Sequence, residues 1–368
     1  MSIIGRLNRG ETNIDFIKWW KRALIASVLL VIVSMASLFT RGLNLGIEFE
    51  GGVSWEVSAP GVSANEARSA LEPVGEGAAK IQIVGTDILR VQGAETSLEH
   101  TAEVRQALAD VAGTDVSNVS VSTVGASWGG DITRSAIRAL VFFFIAMLIY
   151  LSIRLELRMA VAAIVAVFHD VLISVGVYSV FQFEVTPGTV IAFLTILGYS
   201  IYDTIVVDDK IKENERLVGL SGRMTYAQMT SLSMNEVLLR SINTTVVTII
   251  PVISLLVVGA GIMGAVTLEE FSIALLVGLL VGAYSSLFVA APVLVWLKER
   301  QPKNRAIRER LASQGVAVSA SPNRSGSSAG GSPSDGPADP GATDARPAPL
   351  ATPSGVIPPR PRKKTRKR

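Results

Sequence analysis

Six apolar stretches of near-bilayer length dominate the hydropathy pattern: Ala23–Phe39, Ile137–Ile153, Met159–Val180, Thr189–Val207, Ser241–Val258 and Phe271–Leu297. A helix needs about 20 apolar residues to cross a membrane, so the pattern predicts an α-helical membrane protein with six spans. Between the first and second runs, over residues 40–132, the period changes. Strand-like alternation occupies Val53–Val57, Lys80–Val84, Ile88–Gln92 and Val119–Val124, and helical spacing occupies Ser63–Pro73 and Leu98–Val111. This βαββαβ order predicts an α+β, ferredoxin-like sandwich. Ser63 with Glu66 forms a capping-box pattern ahead of its first helix, and Gly113 stands just past the second.

The expected organisation is a segment 1–22, a first span 23–39, the α+β domain 40–132, and the other five spans within 133–297, with a loop at 208–240. A tail follows over 298–368. Residues 302–359 are rich in Ser, Gly, Ala and Pro and predict disorder, because such a composition buries too little apolar area to offset chain entropy.

Charge sets an expected orientation. Lys18, Lys21 and Arg22 precede the first run, Arg154 and Arg158 lie between the second and third, and Lys210, Lys212, Arg216, Arg223 and Arg240 lie between the fourth and fifth. By the positive-inside rule these regions and both termini are cytoplasmic, which leaves 40–132 outside. The first run, with its basic approach and the small residues Ser34 and Ala36, also fits a cleavable signal peptide. The last nine residues hold seven Lys or Arg, a run suited to anionic lipid or ribosomal RNA, or to plain solvation. The chain has no cysteine, so disulfide and thiol chemistry are excluded. No P-loop and no metal-ligand cluster occurs, and no cofactor is called for.

Candidate chemistry lies in the apolar runs. Asp203 is the only carboxylate between Ile191 and Val207, and a charge there costs roughly 2.5–3.5 kcal/mol on insertion scales, so it marks a functional site. Arg240, at the start of the fifth run, is the expected partner if the two helices pack antiparallel. His169 and Asp170 make a polar island in the third run and, with Asp209, a candidate proton relay. Thr195, Tyr199, Ser200, Thr204, Ser241, Thr244 and Thr245 are candidates for hydrogen bonds across helices or for lining a hydrated path, or ordinary packing residues. Gly278 and Gly282 give a GxxxG spacing for close helix approach. Asp208, Asp209, Lys210, Lys212 and Glu213 fit either an ion gate or a solvated helix end.

The ordered motifs Gly46-Ile47-Glu48-Phe49-Glu50-Gly51-Gly52, Phe168-His169-Asp170-Val171, Gly198-Tyr199-Ser200-Ile201-Tyr202-Asp203-Thr204 and Gly282-Ala283-Tyr284-Ser285-Ser286 resemble the SecF family of bacterial protein-export membrane proteins. That family is related to RND-type proton-driven transporters. The resemblance extends over most of residues 20–300. It implies an RND-like bundle that pairs with SecD beside the SecYEG channel in the cytoplasmic membrane and uses the proton-motive force to draw preproteins outward, with no enzymatic activity of its own. It also implies that Asp203 and Arg240 couple protons, that Gly46, Glu48, Gly51 and Gly52 form an extracytoplasmic motif, and that the first span is retained. Three positions depart from the family pattern: Glu48 for a usual aspartate, Tyr202 for a usual asparagine beside Asp203, and Asp208 for an often apolar residue. Two other readings stand beside this one, an RND-type exporter of small molecules or lipids and a structural scaffold.

Overall fold

The structure is a computed structural model describing residues 14–85, 87–217, 222–263 and 265–314. Six helices are long and apolar enough to span a membrane: Phe16–Arg41, Ser127–Arg154, Leu157–Phe181, Pro187–Leu217, Tyr226–Gly259 and Val266–Glu299. The protein is thus a multi-pass membrane protein. Each helix outruns its apolar run, and at several ends capping groups outside that run satisfy free backbone groups. Asp15 receives the Lys18 N–H, Gly42 closes the first span onto the Leu38 carbonyl, and Thr225 with Gln228 forms a capping box ahead of the fifth.

This extension corrects two expectations. Residues 208–217 continue the fourth span and 226–240 open the fifth, so the predicted loop 208–240 is mostly helix. The predicted disorder beyond residue 298 also gives way to a helix, Pro302–Ser313. Pro302 starts that helix, Arg305 pairs with Glu309 at 2.8 Å, Arg308 reaches Glu299 at 3.0 Å, and Leu311 is buried. The remainder of the predicted disordered tail, with its basic end Arg360–Arg368, lies outside the described residues.

The third, fourth and sixth spans form the middle of the bundle, and the other three keep most of their surface outward. Small residues permit this. The third span buries Ala160, Ala162, Ala163 and Ala166, and Gly176 meets Ser34 of the first span so closely that a Cβ would lie 2.8 Å from the Ser34 Cα. On the sixth span, a Cβ at Gly278 would overlap the Ile196 side chain, and one at Gly282 would sit 3.0 Å from the Ser200 Cβ. Lipid offers helices no hydrophobic drive to associate, so close packing of this kind holds them together. The fifth span carries Pro251, followed by a π-helical stretch Leu255–Ile262, and the sixth contains a shorter π-helical turn, Ser286–Ala290.

Between the first two spans lies an α/β domain. Its strands are β2 (Gly52–Ser58), β3 (Lys80–Val84), β4 (Ile88–Gly93) and β5 (Ser120–Val124), after a short β1 (Asn44–Leu45). The sheet order is β3-β4-β2-β5, and every pairing is antiparallel. Helix Ala64–Leu71 separates β2 from β3 and helix Leu98–Ala112 separates β4 from β5, the βαββαβ order. The Ser63–Glu66 capping box is present, and Gly113 caps the second helix in the left-handed region with φ 64°.

Alternation along the strands divides the sheet. Val53, Trp55, Val57, Leu89 and Val91 point to one face and form a core with Ala67, Leu71, Val104 and Leu108 of the helices. Trp55 is completely buried and its indole N–H donates to the Thr101 carbonyl at 3.2 Å. The other face carries Ser54, Glu56, Arg90 and Gln92 and rests on one end of the bundle. There a sixth strand, β6 (Glu184–Val185), between the third and fourth spans, pairs in parallel with β1.

Candidate functional site

Two carboxylates lie inside the bundle, each held by serines from neighbouring spans. Asp203, on the fourth span, accepts from Ser241 Oγ of the fifth at 3.0 and 3.1 Å and from Ser286 Oγ of the sixth at 2.6 Å. Asp170, on the third span, accepts from Ser200 Oγ of the fourth at 2.5 Å and from Ser285 Oγ of the sixth at 2.8 Å. The consecutive residues Ser285 and Ser286 therefore hold different acids, and four spans meet at these two groups. Asp170 is 1% exposed, whereas Asp203 is half-buried. A cavity of about 20 Å³ adjoins Asp203, lined in part by Tyr199, Ser200, Thr244, Thr245 and Gly282. That volume admits about one water molecule.

Arg240 stands apart from this group. Its side chain is exposed and, among the described residues, makes no ion pair with Asp203; Ser241 makes the contact instead. The reason is rotational: successive helical residues are turned by about 100°, so the face presenting Ser241, Thr245 and Thr248 to the fourth span carries Arg240 away from it. Tyr202 is also turned outward, with 55% of its surface exposed. The phenol therefore lies away from Asp203 and leaves the acid's hydrogen bonds to serines.

His169 Nδ1 lies 3.1 Å from Asp170 Oδ1, its ring stacks on Tyr284, and its Nε2 is buried without a hydrogen-bond partner among the described residues. Histidine and Asp170 thus form one unit, separate from Asp209. That residue pairs with Arg154 at 2.5 Å, six residues along the helix from Asp203 and so about 9 Å toward the far end of the bundle. Around it are Lys210–Glu213 at 3.0 Å and Lys212–Glu156 at 3.9 Å, together with a buried Lys298 that reaches Glu156 at 2.8 Å and Glu215 at 3.2 Å. The Lys298 hydrogen bond holds the Glu156 carboxyl below its usual pKa, against partial desolvation. Asp208 is buried in this region, with one oxygen unpartnered among the described residues.

At the domain end, the Gly46–Gly52 motif turns the chain from the first span into β2. Gly51 and Gly52 have φ of 80° and 130°, and a Cβ on Gly52 would overlap the Gly93 carbonyl oxygen. At Gly46 the space a Cβ would fill is taken by the carboxylates of Glu48 and Glu184. Sequence reasoning missed the ion cluster beyond it. Arg90, 7% exposed in its side chain, contacts Glu56 at 2.7 Å, Glu184 at 2.5 Å and Glu270 at 2.6 Å. Desolvation works against the Arg90 charge, yet Glu184, Glu270 and Glu56 outweigh it and raise its pKa above the ordinary arginine value.

This bundle and its glycine motif have counterparts in known proteins. Residues 103–300 match the family described as "Protein export membrane protein SecD/SecF, C-terminal", and residues 36–59 match the "SecD/SecF GG Motif". The chain belongs to the SecD/SecF family. A protein translocase subunit SecF of Streptomyces coelicolor is 40% identical over 96% of this chain and 92% of its own length. Another from Mycobacterium tuberculosis is 35% identical over 81% and 70%, respectively. Among solved structures, SecDF of Thermus thermophilus, titled a translocon-associated membrane protein, superposes with a TM-score of 0.71 at 32% identity. The match covers 79% of this chain and 39% of that one, so this SecF-type chain spans about two-fifths of the SecDF polypeptide.

Proposed function

We propose that the chain is the SecF half of a SecD/SecF unit in the cytoplasmic membrane, acting as a transport subunit beside SecYEG. In this reading it has no enzymatic activity and uses the proton-motive force to promote preprotein translocation. The observation that carries the proposal is Asp203, an intramembrane carboxylate shared by serines of two other spans beside a water-sized cavity. Protonation removes the charge those serines bind and frees the fifth and sixth spans to shift against the fourth. Asp170 with His169 is the neighbouring relay. Arg240, exposed on the bundle surface, belongs to the same coupling system as a charge awaiting a partner outside this chain.

A proton crossing 100 mV supplies about 2.3 kcal/mol, and each pH unit adds about 1.4 kcal/mol. That biases one conformational step, so many cycles are needed per preprotein. The orientation follows the basic residues, with both termini cytoplasmic and the α/β domain outside. The order β3-β4-β2-β5 with helices on one face supports a ferredoxin-like sandwich for that domain.

The test is export into inverted vesicles that also contain SecD, under separately imposed proton and sodium gradients. Asp203→Asn is expected to abolish the proton-gradient-dependent fraction. Full-rate export by the variant would remove Asp203 from the mechanism, and dependence on sodium alone would replace the proton.

A further inference from the structure

The polar face of the α/β sheet presents Arg90 to the bundle. Glu56 comes from the sheet itself, Glu184 from the strand between the third and fourth spans, and Glu270 from near the start of the sixth span; all three converge on Arg90. Gln92 Nε2 also donates to Glu184 at 2.6 Å, and Lys80 Nζ donates to the Leu45 carbonyl at 3.0 Å. Glu48 of the glycine motif crowds Glu184 across Gly46, with one oxygen buried and unpartnered. Carboxylates outnumber cations here, and Arg90 contacts three of them at once.

The sixth span connects this cluster to the intramembrane acids. Glu270 sits near its start and Ser285 and Ser286 lie about 22 Å further along the same helix. Between them, Gly278 and Gly282 pack directly on Ile196 and Ser200 of the fourth span. Beside Arg90 a cleft of about 330 Å³, lined in part by Gln82, Tyr178 and Ile273, leaves room for the sheet to tilt.

We propose that Arg90 is the positioning residue that joins the α/β domain to the fourth and sixth spans, so that a change at Asp203 is delivered to the domain through Glu270 and Glu184. This rests on the coupling role proposed for Asp203. It explains why the glycine motif is built as it is: Gly46 lets Glu48 and Glu184 approach, and Gly52 lets β2 leave at once into the sheet that carries Arg90.

The natural chain has no cysteine, so Leu98→Cys and Leu157→Cys, at exposed sites on the domain and at the opposite end of the bundle, can be spin-labelled cleanly. Distances are measured in the full chain reconstituted with its partner in lipid nanodiscs. With Arg90 intact, Asp203→Asn is expected to shift the mean distance. Arg90→Gln is expected to abolish that shift and broaden the distribution, Arg90→Lys to restore part of it, and Glu270→Gln, which leaves two of the three carboxylates, to reduce it. A shift that survives Arg90→Gln overturns the joint. A silent Asp203→Asn with Arg90 intact refutes the coupling reading instead; the joint then stands if Arg90→Gln alone broadens the distribution and falls if it does not.

Discussion

Gly282→Ala tests how tightly the fourth and sixth spans pack against each other. The added Cβ would lie 3.0 Å from Ser200 Cβ, 3.2 Å from its Oγ and 3.5 Å from its Cα. Packed carbons prefer about 3.5–4.0 Å, so the helices must part by roughly 0.5 Å. Overpacking of this size costs about 1–3 kcal/mol, offset by up to about 1 kcal/mol from the better helix propensity of alanine. Ser200 is not free to yield, because its hydroxyl holds Asp170 at 2.5 Å, and Ser285 and Ser286 follow within one turn of the substituted position. Gly198→Ala is the control: nothing lies within 4 Å of its added Cβ, and only the propensity gain applies. Thermal unfolding followed by circular dichroism should rank Gly198→Ala at or above the wild type and Gly282→Ala below it, with export falling further in Gly282→Ala than its stability loss explains. Equal unfolding temperatures for the two variants, with wild-type export in both, would refute the close-packing argument.

Three more expectations follow from the geometry. Gly52→Ala places a side chain at φ 130° against the Gly93 carbonyl oxygen and should destabilise the α/β domain by about 1–3 kcal/mol, read as early loss of the buried Trp55 near-ultraviolet signal; an unchanged signal would show the turn to be permissive. Ser286→Ala removes a hydrogen bond to a carboxylate, an interaction worth about 1.5–3 kcal/mol, and should reduce gradient-driven export more than Ser254→Ala, whose hydroxyl bonds only the Ile250 carbonyl. Glu156 is more acidic folded than unfolded, so its contribution is present above the unfolded value of about 4.3 and lost as pH falls through the lower folded value. Unfolding temperatures measured from pH 7 to pH 3 should fall less steeply in Lys298→Met; an unaltered slope would dismiss that ion pair.

Reading the chain alone recovers what repeats with a period. The spans announce themselves because lipid demands continuous apolar length, and the α/β order follows from alternation punctuated by a capping box and a terminal glycine. The serine–carboxylate sites were half legible: Asp203 and Asp170 stand out by cost, but whether Arg240 or Ser241 faces them depends on about 100° of helix rotation that hydropathy does not encode. The Arg90 cluster left no local trace. Glu56, Arg90, Glu184 and Glu270 are far apart in sequence, and polar residues on alternate strand positions read as a solvated face until the sheet is seen to rest on the bundle. The helix Pro302–Ser313 was hidden because one buried Leu311 and charged pairs do not make an apolar stripe.

The wide turn at Ser286–Ala290 bears on how far a local change can spread. In a π turn the hydrogen bonds reach one residue further than in an α-helix, so the backbone stores an extra residue there. Moving that turn along the helix rotates the two flanking segments relative to each other while the backbone stays paired. The turn separates Val266–Ser285, which carries Glu270 at its domain end, from Ala291–Glu299, which Lys298 holds to Glu156 and Glu215. The sixth span is thus two segments joined at a wide turn, one tied to the domain through Glu270 and Arg90 and the other to Glu156 and Glu215 through Lys298.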